Sequence, residues 1–256
     1  MVTIRQYTVE AFREYLQGYR DRGAVLRCSF VHHTFSPTPA NWHGLRTMEG
    51  IRKAHMNRRP PMSDIACHAY SAPDGTVYNG RPPSAPNCAC QYPDEGADTW
   101  PAELRELSGG SKRWMNAYGF GLETVGNFDA EDPATSRAMA TSLDVLAQVH
   151  DIWDMPVEHC FLHRDVSSKT CPGTRVSREW VHAELAKRLG AEPAPELKVI
   201  LYPPTAEFPH GEVVDCNPEI IDGVTRGDVT PLAGALGFRT RYDPKNRKVY
   251  LIRKED

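Results

Sequence analysis

Apolar and polar positions along this chain change period several times, and each change marks an element. Residues 8–22, TVEAFREYLQGYRDR, place Phe12, Tyr15, Leu16 and Tyr19 at helical spacing behind a Thr8 cap with acidic residues in the early turns. This predicts an amphipathic helix that Gly23 ends. AVLRCSFVHH follows, apolar and rich in β-compatible residues, and predicts a buried strand ending at His32 and His33 before the loop TFSPTP. Residues 44–58 predict a second helix. Residues 65–71 and 76–78 predict a hairpin around Pro73, Asp74 and Gly75. From Pro82 to Gly110 the chain is rich in Pro, Gly, Ser and charge, the texture of a long surface insertion flanking a groove. A strand is expected near 119–125, the longest helix over 135–150, a short strand in VEHCFLHRD, and a helix in REWVHAELAKRLG that Gly190 stops.

Alternation of strand and helix through residue 190 implies an α/β domain, residues 1–190. AEPAPE, residues 191–196, reads as a linker. Beyond it the strands shorten. KVILYP, GEVVDC and PEIID read as strands, Asp222-Gly223 as a hairpin turn and GDVTPLAGALG as a short helix. FRTRYDPKNRKVYLIRK reads as a closing hairpin. Residues 197–256 are therefore expected to form a small α+β accessory domain, near the lower size limit for independent folding.

Composition removes several function classes. The chain has 256 residues, 40% hydrophobic and 25% charged, as in soluble globular proteins. A formal charge of −3 provides no overall field for nucleic acid or acidic lipid. No apolar run has the length of a membrane helix. The N-terminus shows no basic segment followed by an apolar one, so synthesis in the cytoplasm is expected. Seven cysteines leave at least one unpaired, and there is no CxxC pair. Cys88 and Cys90, in the Pro-rich loop, read as incidental.

HRDVSSKTCPG, from His163, carries the most chemistry. Its first triplet looks like a protein-kinase catalytic loop. However, Thr170 stands where the magnesium-binding amide belongs, and no Gly-rich loop, strand lysine or DFG triplet occurs. As a metal motif it offers His163 and Cys171 on a loop closed by Pro172-Gly173, and zinc accepts both donor types. A third ligand must come from elsewhere, with His32 the natural candidate and His33 its rival.

FVHHT, DGTVYNGR, GFGLETVG and HRDVSSKTCPG together, in this order, resemble the zinc-dependent N-acetylmuramoyl-L-alanine amidases. That family includes phage lysozymes of amidase type, amidases of cell-wall recycling and peptidoglycan recognition proteins. The resemblance spans about residues 25–185. It implies a mixed central β-sheet flanked by helices and one catalytic Zn2+ held by His32, His163 and Cys171, with His33 set aside. It also implies an active-site Lys169 and a general base at Glu123. The substrate implied is peptidoglycan or a muropeptide, cut between N-acetylmuramic acid and L-alanine, with no nucleic acid or membrane as partner.

One position departs from the phage lysozymes. Cys67 stands where their catalytic tyrosine lies, leaving that role vacant or to Glu123, His68 or Tyr70. His68 reads either as a cleft residue or as a satisfied core histidine. Trp42, with Trp100 and Trp114, would suit sugar rings, and Arg46 or Arg81 would meet peptide carboxylates. The C-terminal segment resembles the small domain first described at the N-terminus of copper amine oxidases. Without a copper-binding residue set, it suggests a cell-wall-binding or self-docking role. Two functions compete: a hydrolase, best fitted by a phage or prophage endolysin with a recycling amidase as variant, and a binding module that keeps the groove without the metal. Retention of Cys171 with both histidines and Lys169 favours the hydrolase.

Overall fold

The computed structural model describes residues 1–87 and 97–190, and the backbone of three strands beyond them. The chain divides into two compact units, Met1–Ala191 and Glu192–Asp256.

In the first unit a six-stranded sheet has the order β1-β4-β3-β5-β2-β6. Its strands are β1 (Gln6–Tyr7), β2 (Cys28–His33), β3 (Ala69–Ser71), β4 (Val77–Asn79), β5 (Gly119–Thr124) and β6 (Cys160–Leu162). β3, β5, β2 and β6 run parallel, while β4 and β1 are antiparallel additions at one edge. The sheet is therefore mixed.

Strand alternation sends the two sets of side chains to different layers. Val31, Leu122, Ala69 and Leu162 join Phe12 and Leu16 of α1 (Val9–Asp21), Leu143 and Leu146 of α5 (Arg137–Ile152), and Val181 and Leu185 of α6 (Arg178–Arg188). Thr8, Ser136 and Ser177 cap these helices through side-chain oxygens that accept backbone N–H groups. On the opposite face Phe30 and Phe161 meet Trp100, Leu104 of α3 (Ala102–Ser108) and Met115 of α4 (Lys112–Tyr118). Toward the β3–β4 edge, Met48 of α2 (Leu45–Asn57) packs on Ile65, Cys67, Tyr70 and Tyr78.

The expected surface insertion over 82–110 is corrected in part. Its second half folds into α3, whose Leu104 is a buried core residue, and Trp100 just before it is buried in the core rather than a groove aromatic. Residues 88–96, with Cys88 and Cys90, lie outside the described residues. Residues 65–68 precede β3 rather than forming part of it.

In the second unit β7 (Gly211–Val213), β8 (Phe238–Asp243) and β9 (Lys248–Arg253) form an antiparallel sheet of order β7-β9-β8. β8 and β9 pair as the expected closing hairpin. The expected linker 191–196, the strands KVILYP and PEIID, the Asp222-Gly223 turn and the helix GDVTPLAGALG lie outside the described residues. No described helix is long and apolar enough to cross a membrane.

Candidate metal centre and its cavity

The site grows out of the strand register. Phe30 lies opposite Gly121 and Phe161, and one pleat further His32 lies opposite Glu123. Tyr70 of β3 is Glu123's neighbour on the other side. A core phenylalanine and, two residues on, a histidine recur in β2 and after β6, as Phe30/His32 and Phe161/His163. The period of two carries each strand's face from the core to the C-terminal edge of the sheet, where Tyr70, Glu123, His32 and His163 line up. Parallel sheets place their sites at this edge.

Cys171 reaches the row on the loop that follows. His163–Val166 forms a single 3-10 turn, with Leu162 N–H donating to Asp165 Oδ2 at 2.9 Å. Arg164 then fastens the returning loop. Its backbone N–H donates to Cys171 O at 2.7 Å, and its guanidinium donates to Gly173 O at 2.5 Å and to Val176 O. Asp129 accepts from Thr170 Oγ1 at 2.9 Å and from Thr174 N–H at 2.8 Å. The Arg and Asp of the HRD triplet therefore act as loop fasteners. Gly173 is required: its φ is +120°, and a Cβ there would lie 2.4 Å from the Phe128 carbonyl carbon.

The ligand atoms of His32, His163 and Cys171 lie within 4.8 Å of one another, and all three residues are buried. The imidazole centroids are 4.5 Å apart. Cys171 Sγ lies 3.7 Å from His32 Nδ1 and accepts the His33 N–H at 3.4 Å. His32 Nε2 is buried with no hydrogen-bond partner among the described residues. Buried polar atoms rarely go unpaired without a reason. Burial, then the neighbouring imidazole, pushes the pKa of His32 well below its usual value. Burial, then Lys169, pushes that of His163 down to about 4. Both rings are therefore neutral, the form that binds a metal. Burial pushes the Cys171 thiol up to about 12, and a coordinated cation is the ordinary means of ionising such a thiol. Two imidazoles and a thiol suit zinc, and the residues present fit one Zn2+ ion.

Glu123 opens partly onto a cavity of about 560 Å³ that the three donors also line, as do Lys169, Arg58 and Phe35. Burial raises the Glu123 carboxyl to about 7 against the pull of two donors, the Tyr70 hydroxyl and the Cys67 thiol. Tyr70 is fully buried, and its hydroxyl also accepts the Cys67 N–H at 3.1 Å. The position vacated by the family's tyrosine is thus filled by a thiol facing the cavity, with Tyr70 holding Glu123 from beneath. Lys169 is exposed at the rim, and its charge acts on both imidazoles and the thiol. His33 lines the cavity beside the cluster, its Nδ1 accepting the Phe128 N–H at 3.2 Å.

The expected substrate-binding residues do not gather here. His68 is a core histidine. It is 1% exposed, its Nε2 pairs with Ala85 O at 2.9 Å, its Nδ1 accepts the Gly121 N–H at 3.1 Å, and its ring stacks on Phe120. Arg81 is buried and spends its guanidinium on Ile65 O, Ser63 Oγ and Asp64 O. Trp42 packs edge-on against Tyr78, and Arg46 is exposed on α2; neither lines the cavity. Arg58, Phe35 and His55 do line it and were not singled out from sequence, where no motif marks them.

A family model described as N-acetylmuramoyl-L-alanine amidase matches residues 22–174. No curated protein matches the chain. Among solved structures, the chain is similar to the endolysin amidase LysCS from Clostridium intestinale URNW. Identity is 23%, over 66% of this chain and 87% of that one, with a TM-score of 0.39. It is similar to bumblebee PGRP-SA at 17% identity, over 60% and 79%, with a TM-score of 0.45. For Drosophila PGRP-LB the figures are 17%, 68%, 86% and 0.44. The family match covers more than half of the sequence and takes in the strands and the loop that assemble the His/His/Cys cluster, so the chain belongs to the N-acetylmuramoyl-L-alanine amidase family.

Proposed function

We propose that this protein is a zinc-dependent peptidoglycan hydrolase that cleaves the amide between N-acetylmuramic acid and the L-alanine of the stem peptide. The observation that carries this reading is the convergence of His32, His163 and Cys171 on one point of a cavity that also exposes Glu123. Bound by these three residues, zinc would supply Lewis-acid polarisation of the scissile carbonyl and acidification of a water molecule.

The chain's own groups supply the proton traffic and the charge. Before a metal is bound, burial holds the Glu123 carboxyl at about 7, above the ordinary carboxylate range, which raises its basicity toward what a general base that becomes a general acid needs. It would take a proton from the attacking water and return it to the leaving nitrogen. Tyr70 and Cys67 fix the carboxylate's direction through the hydrogen bonds they donate. Lys169, a flexible cation at the rim, would stabilise negative charge developing on the carbonyl oxygen. Arg164 and Asp129 hold the loop that carries both Lys169 and Cys171.

We further propose that the protein acts on the cell wall after release from the cytoplasm, as an endolysin. The chain carries a second compact unit in addition to the one that holds the cluster, which supports this reading. The deciding experiment is zinc content together with product analysis on purified sacculi. Stem peptides released with a free L-alanine amine, and no new reducing ends, support the amidase. Peptidoglycan binding without cleavage by the zinc-loaded protein would replace it with a recognition module.

A further inference from the structure

One ring at the cavity has no part in the reaction proposed above. Phe35 lines the cavity and is 57% exposed, and it belongs to none of the three apolar clusters of the first unit. Its one ring contact among the described residues is edge-on to His33, at 6.0 Å between centroids. His33 in turn stacks on Phe128 at 6.3 Å. Three rings thus lead from the core, past the wall beside the metal cluster, to an exposed position.

The backbone at Phe35 is strained. Its φ is +55°, in the left-handed region that glycine adopts freely and where a bulky side chain is an outlier. Groups other than the ring fix this turn. Thr34 N–H donates to Thr124 O at 3.0 Å, and Ser36 N–H donates to Thr34 O at 2.5 Å. The Thr34 hydroxyl donates to Pro37 O at 2.5 Å and accepts the Gly126 N–H at 3.1 Å. A glycine at this position would keep all four bonds and remove the strain. The exposed ring returns little burial to the fold in exchange. Strained residues gather at ligand sites, where the gain comes from what binds.

Shape and chemistry set what would bind. Among the described residues that line the cavity, Phe35 supplies the only aromatic ring other than imidazoles. A stem peptide that begins with alanine offers a methyl group and charges, for which a phenyl ring is a poor match. A pyranose offers a face of C–H groups about as wide as the phenyl ring, and such a face packs flat on an aromatic surface.

We infer that Phe35 is a specificity residue for the glycan, its ring carrying the N-acetylhexosamine next to the muramic acid while the scissile amide lies over the His32–His163–Cys171 cluster. The inference rests on the amidase reading for the nature of the substrate, and on exposure and strain for the residue. It gives Phe35 the task that the sequence had suggested for Trp42. It also makes linked sugars, rather than a muramoyl peptide trimmed to one sugar, the preferred substrate.

The test uses the zinc-loaded full chain and two soluble substrates with the same stem peptide, one carrying muramic acid alone and one carrying the disaccharide. Wild type should prefer the disaccharide by about fivefold or more in kcat/KM, expressed in KM. Phe35→Ala and Phe35→Gly should bring the preference below about twofold, and Phe35→Trp should keep it. Phe35→Gly should also unfold in urea at or above the wild-type midpoint, because the strain is gone. A wild type without preference, a Phe35→Ala variant that retains it, or a Phe35→Gly variant with a lowered midpoint overturns the inference. Self-association of wild type that Phe35→Ala abolishes would assign the ring to a second copy and overturn it too. If wild type hydrolyses neither compound, the amidase reading fails instead, and calorimetry with the disaccharide peptide decides for Phe35. Binding weakened about fivefold by Phe35→Ala supports it; equal binding, or none to wild type, overturns it.

Discussion

Replacing Glu123 by glutamine separates what the residue costs the fold from what it gives to catalysis. In the folded chain its carboxyl titrates near 7, against an ordinary value of 4.5, because the protein withholds water from the ionised form. Between those two values the unfolded chain has released its proton while the folded chain still holds it. Stability then falls as pH rises, by about 1.4 kcal/mol per pH unit. The interval amounts to about 3 kcal/mol once pH exceeds the folded value, an upper figure because the carboxyl is partly open to the cavity. Glutamine has the same shape and no proton to lose, and its Oε1 still accepts from Tyr70. With zinc chelated, the stability of Glu123→Gln relative to wild type should therefore be about 2 kcal/mol greater at pH 8 than at pH 5. Urea unfolding followed by tryptophan fluorescence reads the catalytic unit selectively, since all five tryptophans lie within Met1–Ala191. In the zinc-loaded enzyme the same substitution should lower kcat/KM by about 10²–10⁴ and abolish the limb of the wild-type pH–rate profile that reports ionisation of this carboxyl. A stability difference that does not change with pH would refute the argument about burial. Retention of more than about a tenth of the activity would refute the role as base.

Other substitutions probe the metal cluster and the loop behind it. His163→Ala or Cys171→Ala should take the purified chain from one bound zinc to almost none by elemental analysis, and metal retained at wild-type level would dismiss the ligand set. Gly173→Ala forces a side chain into the Phe128 backbone at an unfavourable φ. It should cost about 3 kcal/mol or more by urea unfolding and weaken zinc binding, and wild-type stability in both would show the loop free to shift. Arg164→Ala leaves the Gly173 and Val176 carbonyls without their charged donor and should cost about 3 kcal/mol. A loss below about 1 kcal/mol would mean that Asp129 and the residue-164 backbone N–H suffice to hold the loop.

Periodicity made the long elements legible. α1, α5 and α6 show an apolar stripe behind a Thr or Ser cap, and β2 shows a short, mostly apolar run, interrupted by Ser29 and ending in histidine. α3 and α4 were missed because seven residues are too few to display a helical period, and both lie in or beside a stretch with the composition of a loop. Their apolar residues, Trp100, Leu104 and Met115, gain meaning only against Phe30 and Phe161, partners distant in sequence. A sequence read locally does not reveal that the second face of the sheet needs a cover.

The site divides along a similar line. His163 and Cys171 could be named as a donor pair on one loop, and His32 as a candidate third at the end of a strand; Lys169 and Glu123 could be named only through the resemblance of the four motifs, taken together, to the amidase family. Residues chosen by side-chain chemistry alone fared differently. Arg81 has the right charge for a carboxylate, but the backbone carbonyls of residues 64 and 65 claim it first. His68 has the right ring for a cleft, but it serves Gly121 and Ala85. A cation or imidazole is free to meet a ligand only if the fold leaves its hydrogen-bonding capacity unused, and that is a property of its neighbours. By this criterion Arg58, Lys169 and His32 Nε2, with no internal side-chain partner among the described residues, carry unspent polar capacity at the cavity. Cys67 shows the converse. Its thiol faces the cavity, yet its hydrogen bond is committed to the Glu123 carboxyl, so its donor is already spent inside the protein.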